Sequence, residues 1–245
     1  MSFDGASVLV TGGSRGIGRE IALRFAEEGA RRVAIGYMRN DTAADAVAGE
    51  LRERGAEVVL IRGNVSSTRV AEEVEALGAF DVLVHSAATG VARPALETED
   101  KHWDWTFSAN ARALLSLTRA AAPSMPKGSA IVAISSLGSV RVLENYVLVG
   151  ASKAALEAVV RYLGVELAPR GIRVNAVSGG VVETDALAAF PNRERMLRDA
   201  QERTPAGRMV ETRDIADAVL FLAGPAAQMI CGQTLVVDGG FSLVV

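Results

Sequence analysis

Short apolar runs alternate with segments of helical period along almost the whole chain. Val8-Leu9-Val10 comes first, followed by Ile17, Ile21 and Phe25 at i, i+4 and i+8, with Gly29 placed to end that helix. Val33-Ala34-Ile35 is the next strand, and the helix after it turns Ala44, Val47 and Leu51 inward before Gly55. Val58 to Ile61 forms a third strand, and a short helix over Val70, Val74 and Leu77 leads to a fourth, Val82-Leu83-Val84. A longer helix then sets Trp103, Phe107, Asn110, Leu114 and Leu117 on one face and ends near Pro123 and Pro126. Ile131 to Ile134 is the fifth strand, and a helix from about Val149 to Leu167 carries Leu156, Val160 and Leu163 inward. Ile172 to Val177 and Leu235 to Val237 complete seven strands. Regular alternation of strand and helix predicts a parallel sheet covered on both faces. Right-handed crossovers make it a doubly wound α/β sheet in a single domain, residues 1–245. The less regular stretch from Thr184 to Pro205 is a candidate substrate lid.

Composition narrows the classes. A formal net charge of −3 gives no footprint for nucleic acid or an acidic membrane surface. No apolar run approaches the roughly 18 residues needed to span a bilayer, and Met1 to Gly5 has neither a basic nor an apolar leader region. The single cysteine, Cys231, permits no intrachain disulfide and reads as a small buried hydrophobe. Together these give the expectation of a cytoplasmic protein with no membrane partner. The two histidines, His85 and His102, make no metal cluster. His85 reads as a hydrogen-bonded core residue and His102 as a residue at a solvated helix start. Trp103 belongs to an apolar stripe, and Trp105 points elsewhere, towards an interface.

Between the first strand and first helix lies Thr11-Gly12-Gly13-Ser14-Arg15-Gly16-Ile17-Gly18. Glycines at that junction allow a tight turn and close approach of backbone to a pyrophosphate, and the helix N-terminus supplies free N–H groups. The second strand ends in Tyr37-Met38-Arg39-Asn40, where an acidic residue would bond a ribose 2′-hydroxyl. Arg39 there, with Arg15 opposite, can grip a 2′-phosphate, the alternative being two solvated surface arginines. Asp41 stands one step late and reads, with Thr42, as the cap of the next helix. Asn64-Val65 after the third strand can meet a base edge.

The loop spacing is TGxxxGxG, and with it the sequence resembles the short-chain dehydrogenase/reductase family over essentially its whole length. Further matches are Asn110, Ile134-Ser135-Ser136, Ser152-Lys153-Ala154, Val174-Asn175-Ala176-Val177 and Gly232 to Gly240. The resemblance implies a Rossmann-type fold, a nicotinamide cofactor (NADPH, given Arg39), and an assembly of identical subunits, a tetramer in most members. It implies catalytic roles for Ser136, Tyr146, Lys153 and Asn110. Cofactor contacts follow at Gly12, Ser14, Arg15, Gly16, Ile17, Gly18, Tyr37, Arg39, Asn40, Asn64, Val65, Ala87, Ala88, Lys153, Val182 and Thr184.

Two departures matter. The family's loop after strand four usually reads Asn-Asn-Ala-Gly, and here it is His85-Ser86-Ala87-Ala88. Carbonyl-reducing members carry the tyrosine four residues before the lysine, but that position is Val149, which has no acidic hydrogen. Tyr146 stands seven before Lys153, the spacing of enoyl-ACP reductases. In a continuous helix this would separate the two by roughly 10 Å along the axis instead of 6 Å. Ser135 to Ser139, Leu143 to Tyr146 and Phe190-Pro191-Asn192-Arg193-Glu194 resemble the NADPH-dependent enoyl-ACP reductase III group. The resemblance implies an acyl thioester substrate, on acyl carrier protein or coenzyme A, whose oxygen faces the phenol. A positively charged Lys153 is expected to lower the proton affinity of that phenol. The alternatives are a 3-oxoacyl-ACP or other carbonyl reductase, a non-catalytic nucleotide-binding protein, and a Tyr146 that only packs.

Overall fold

The computed structural model describes residues 2–190 and 192–244. Seven parallel strands run in the order β3-β2-β1-β4-β5-β6-β7: Ser7–Thr11 (β1), Arg32–Tyr37 (β2), Glu57–Arg62 (β3), Val82–His85 (β4), Ala130–Ser136 (β5), Arg173–Gly179 (β6) and Thr234–Val237 (β7). This is the predicted doubly wound sheet, and β1 and β5 are buried along almost their whole length because helices cover both faces. Gly16–Glu27 (α1), Asp41–Glu53 (α2) and Thr212–Ala223 (α8) pack on one face around Phe25, Ile21, Val8 and Val219. Thr68–Ala76 (α3), Ala113–Ala121 (α5) and Val147–Leu167 (α6) cover the other around Leu114, Leu117, Ile131 and Leu156. Strand order reverses between β1 and β4, so a crevice opens beyond their carboxyl ends.

The helix expected across residues 103–117 is broken. Asp100–Phe107 (α4) passes through a π-turn at Ser108–Arg112 before α5 begins. One extra residue in that turn rotates everything upstream by about a quarter-turn relative to Leu114 and Leu117. Trp103 therefore leaves the core stripe, stands 48% exposed, and stacks on Phe107 at 4.0 Å between ring centroids. His102 is buried instead of solvated, and its Nδ1 accepts a hydrogen bond from the Glu99 amide in a reciprocal cap. Asn40, not Asp41, caps α2, since its Oδ1 accepts from the Ala43 amide. Helix α6 begins two residues earlier than the apolar spacing predicts, directly after Tyr146. At the chain's end Leu243 is exposed, Phe241 lies under the Arg203 guanidinium, and Val245 is outside the described residues. No helix among the described residues is long and apolar enough to cross a membrane.

Candidate active site

A cleft of about 690 Å³ occupies the crevice, and most of the predicted cofactor residues line it. Its floor is the Gly12–Gly18 loop. Gly12 has φ +69°, and a Cβ there would stand 2.9 Å from the Ala87 Cα. A Cβ on Gly18 would run into the Gly12 carbonyl. These two positions thus require glycine for the turn and for seating α1 on β1. No side chain caps the first turn of α1, so its N–H groups are left for a ligand anion. Arg15 and Arg39 both reach the rim, exposed and without a side-chain partner among the described residues. Tyr37 donates to Asp41 at 2.9 Å, and the Asn64 Oδ1 is taken by the Ser66 amide at 3.1 Å. Val65, Ala87, Ala88 and Thr184 line the cleft. Val182 does not, because it is buried and bridged to Val210.

His85, at the end of β4, explains how the departure after that strand is accommodated. The Thr11 hydroxyl hydrogen-bonds to its Nδ1 at 3.1 Å, and its Nε2 to the Asn110 carbonyl at 3.2 Å. That pattern assigns the neutral ring, with the proton on Nε2. Thr11 Oγ1 also accepts from the Ser86 and Ala87 amides, which fixes the cofactor-side loop. Complete burial, and then the charge of Lys153, lower the His85 pKa to about 4. The folded pKa lies below the ordinary 6.5, so stability is present above pH 6.5 and is lost as pH falls towards 4. His85→Asn should flatten that loss, and wild type and variant should diverge by about 3 kcal/mol across the window. Urea melts at pH 4.5 and 7 check this, and parallel acid profiles would refute it.

Asn110 stands in the π-turn, fully buried, and does not line the cleft. Its amide donates to the Thr89 carbonyl and to Ser152 Oγ, each at 2.9 Å, and its Oδ1 accepts from the Thr89 amide. It ties α6 to the wall after β4. Ser136 closes β5. Tyr146, at the entrance to α6, points its hydroxyl at Ser136 Oγ at 3.4 Å. Tyr146 is the N-cap residue of α6 and its carbonyl accepts the Gly150 amide, so the phenol starts about two helical turns ahead of Lys153, at the edge of the cleft. Lys153 is buried in the first turns of α6 and donates to the Ile134 carbonyl at 2.7 Å. Burial lowers the lysine to about 8, and Glu157 opposes the shift. Burial raises the Tyr146 phenol, and Ser136 opposes. The phenol is thus raised, not lowered as expected from a nearby lysine, and the Lys153 ammonium donates to the Ile134 carbonyl.

Several lining residues were not foreseen: Met38, Gly63, Thr89, Trp105, Ser135 and Asp185. Trp105 lines the cleft, on the turn of α4 that the π-turn rotates, where an interface role was expected. Ser135 carried a signal as the neighbour of Ser136 in the matched Ile134-Ser135-Ser136 run, and Met38 as part of the Tyr37-Met38-Arg39-Asn40 run. The segment expected to act as a lid contains a turn at Asp185–Ala189 and helix α7, Arg193–Arg203. Phe190 lies 5.6 Å from the Tyr146 ring, and Glu144 accepts hydrogen bonds from Asn192 and Arg195.

A crossover crevice with a glycine loop, an uncapped helix and a serine, tyrosine and lysine around one wall defines a nucleotide-dependent α/β oxidoreductase. Residues 12–242 match a family described as enoyl-(acyl carrier protein) reductase. The 1-cyclohexenylcarbonyl-CoA reductase of Streptomyces collinus is 38% identical over 96% of this chain and 86% of its own. The 3-oxoacyl-[acyl-carrier-protein] reductase of Staphylococcus aureus is 36% identical over 96% and 97%. A blue fluorescent protein from a metagenomic library, solved with NADPH, superposes with a TM-score of 0.89 at 33% identity, covering 99% of this chain and 100% of its own. The chain belongs to the short-chain dehydrogenase/reductase family.

Proposed function

We propose that this protein is an NADPH-dependent reductase of the carbon–carbon double bond of an enoyl thioester. The observation that carries the reading is the placement of Tyr146. The residue four before Lys153 is Val149, buried against Gly90, while Tyr146 reaches the Ser136 side of the cleft from outside α6. The 1-cyclohexenylcarbonyl-CoA reductase of Streptomyces collinus supports it.

The cleft fits a dinucleotide: the Gly12 turn and uncapped α1 meet the pyrophosphate, and the free Arg15 and Arg39 meet a 2′-phosphate. A bound reduced nicotinamide supplies the hydride. Lys153 holds the ribose hydroxyls. Tyr146 donates its proton towards the thioester oxygen as negative charge gathers there, and Ser136 assists by hydrogen bonding. One hydride enters at the β-carbon and the phenol proton reaches the oxygen; the enol then takes a solvent proton at the α-carbon and releases its hydroxyl proton, which returns the phenol to its acid form and leaves a saturated thioester. Deuterium carried on the transferring face of the reduced cofactor should appear on the product's β-carbon.

A second reading, a 3-oxoacyl reductase, is favoured by the Tyr146–Ser136 contact, which could clamp a ketone, and by the Staphylococcus aureus relative. It places that deuterium on a carbinol carbon instead. The cofactor part is tested separately. Arg39→Asp should weaken NADPH binding about 10- to 100-fold, the loss of a charge-assisted pair, and should favour NADH. Calorimetric titration checks this, and equal wild-type affinity for the two cofactors would defeat it. We also propose a homo-oligomer, on the exposed Leu243 and Val244 at the chain end and the Trp103–Phe107 stack. Sedimentation at micromolar concentration should give a mass above one subunit, and a stable monomer would refute it.

A further inference from the structure

Glu157 has no part in the chemistry above, yet it lies buried in the middle of α6, 7% exposed. It follows Lys153 by four residues, so the two side chains lie on the same face of α6. Both are anchored to consecutive residues of β5. Lys153 donates to the Ile134 carbonyl at 2.7 Å, and the Ser135 hydroxyl donates to Glu157 Oε1 at 2.5 Å. Ser135 itself is buried and borders the cleft.

We infer that Glu157 is a positioning residue for the reaction: pegged to Ser135, its carboxylate is the buried counter-charge that keeps Lys153 cationic beside the cofactor cleft. An ammonium removed from water without an opposite charge sheds its proton. The other groups around it do not supply that charge. His85, from β4, is neutral and is itself disfavoured as a cation by Lys153. Tyr146 stays protonated, since burial raises it. Ser135, Ser136 and the Ile134 carbonyl bring dipoles only. Asp185 borders the same cleft but has no resolved contact with the lysine. Glu157 opposes the downward pull of burial on Lys153, which leaves the lysine at about 8. The peg has a second effect. Two bonds to adjacent strand residues fix the rotation of α6 over β5, and with it the direction from which Lys153 enters the cleft. The inference rests on the proposed function only for its consequence in turnover.

The chain's lysines are Lys101, Lys127 and Lys153, so lysine-labelled protein gives a short, assignable set of side-chain signals. Lys153 is identified by its loss in Lys153→Met. In cofactor-free protein the Lys153 signal should titrate near 8, with Lys101 and Lys127 unmoved between variants. Glu157→Gln keeps the shape and a partner for Ser135 but removes the charge. Its Lys153 midpoint should fall by about one unit or more, leaving about five-fold less ammonium at pH 8. Glu157→Asp keeps the charge and should hold the midpoint within about half a unit of wild type. The pH profile for NADPH binding should move with the titration. If Glu157→Gln does not fold, Glu157→Met, of similar volume and uncharged, takes its place with the same expected fall. An unchanged midpoint in the charge-free variant, or an equal fall in Glu157→Asp, overturns the inference. Neither outcome depends on which thioester is reduced, so the proposed function stands or falls by its own test.

Discussion

Tyr146→Phe should lower kcat/KM for an enoyl thioester by about 10²- to 10⁴-fold, the range for losing a positioned proton donor. Affinity for NADPH and the melting temperature should stay close to wild type. The ring remains against Phe190, and the hydroxyl's recorded protein contact is the long 3.4 Å bond to Ser136, so little packing is lost. The fall should persist across pH 6–8, because burial raises the phenol and holds it in its donating form. Steady-state kinetics with calorimetric cofactor titration checks this. A variant retaining half the wild-type rate would leave Tyr146 a packing residue.

Lys153→Ala should give a different pattern, raising the dissociation constant for NADPH and lowering kcat by about 10²-fold or more. The lysine is proposed to hold the ribose, and a nicotinamide that has lost that hold is misplaced for hydride delivery. The stability effect should be small and of either sign. Removing the side chain leaves the Ile134 carbonyl without its 2.7 Å donor, but also relieves the desolvation of a buried ammonium. Cofactor affinity and turnover should thus fall together in Lys153→Ala, whereas in Tyr146→Phe turnover alone should fall. Binding of NADPH by Lys153→Ala at wild-type strength would remove the ribose role.

The sheet was legible because each strand is an apolar run bounded by turn residues, and parallel strands buried on both faces write that pattern strongly. The glycine loop was legible for a related reason: Gly12 and Gly18 sit where a Cβ cannot. What sequence periodicity missed comes from interruptions in period. The π-turn at Ser108–Arg112 is invisible to a 3.6-residue count, and it put Trp103 outside and Trp105 into the cleft. The contact with Ser136 was not legible, although the spacing gave the two-turn offset between Lys153 and the N-cap residue Tyr146. Asn145 just before it adopts φ +59°, a left-handed turn that redirects the chain. His85 was correctly placed in the core, but its pairing with Thr11 and Asn110 is a contact across 74 and 25 residues that no local pattern encodes. Glu157 escaped for the same reason, since a glutamate in a helix reads as solvated until its partner on β5 is known.

The most direct test of the central proposal is NADPH oxidation by the wild-type protein with an enoyl thioester and a 3-oxoacyl thioester of equal chain length on the same carrier. The account predicts that kcat/KM is higher for the enoyl thioester, with the saturated thioester as product. Ready turnover of the 3-oxoacyl thioester with none of the enoyl thioester would contradict it.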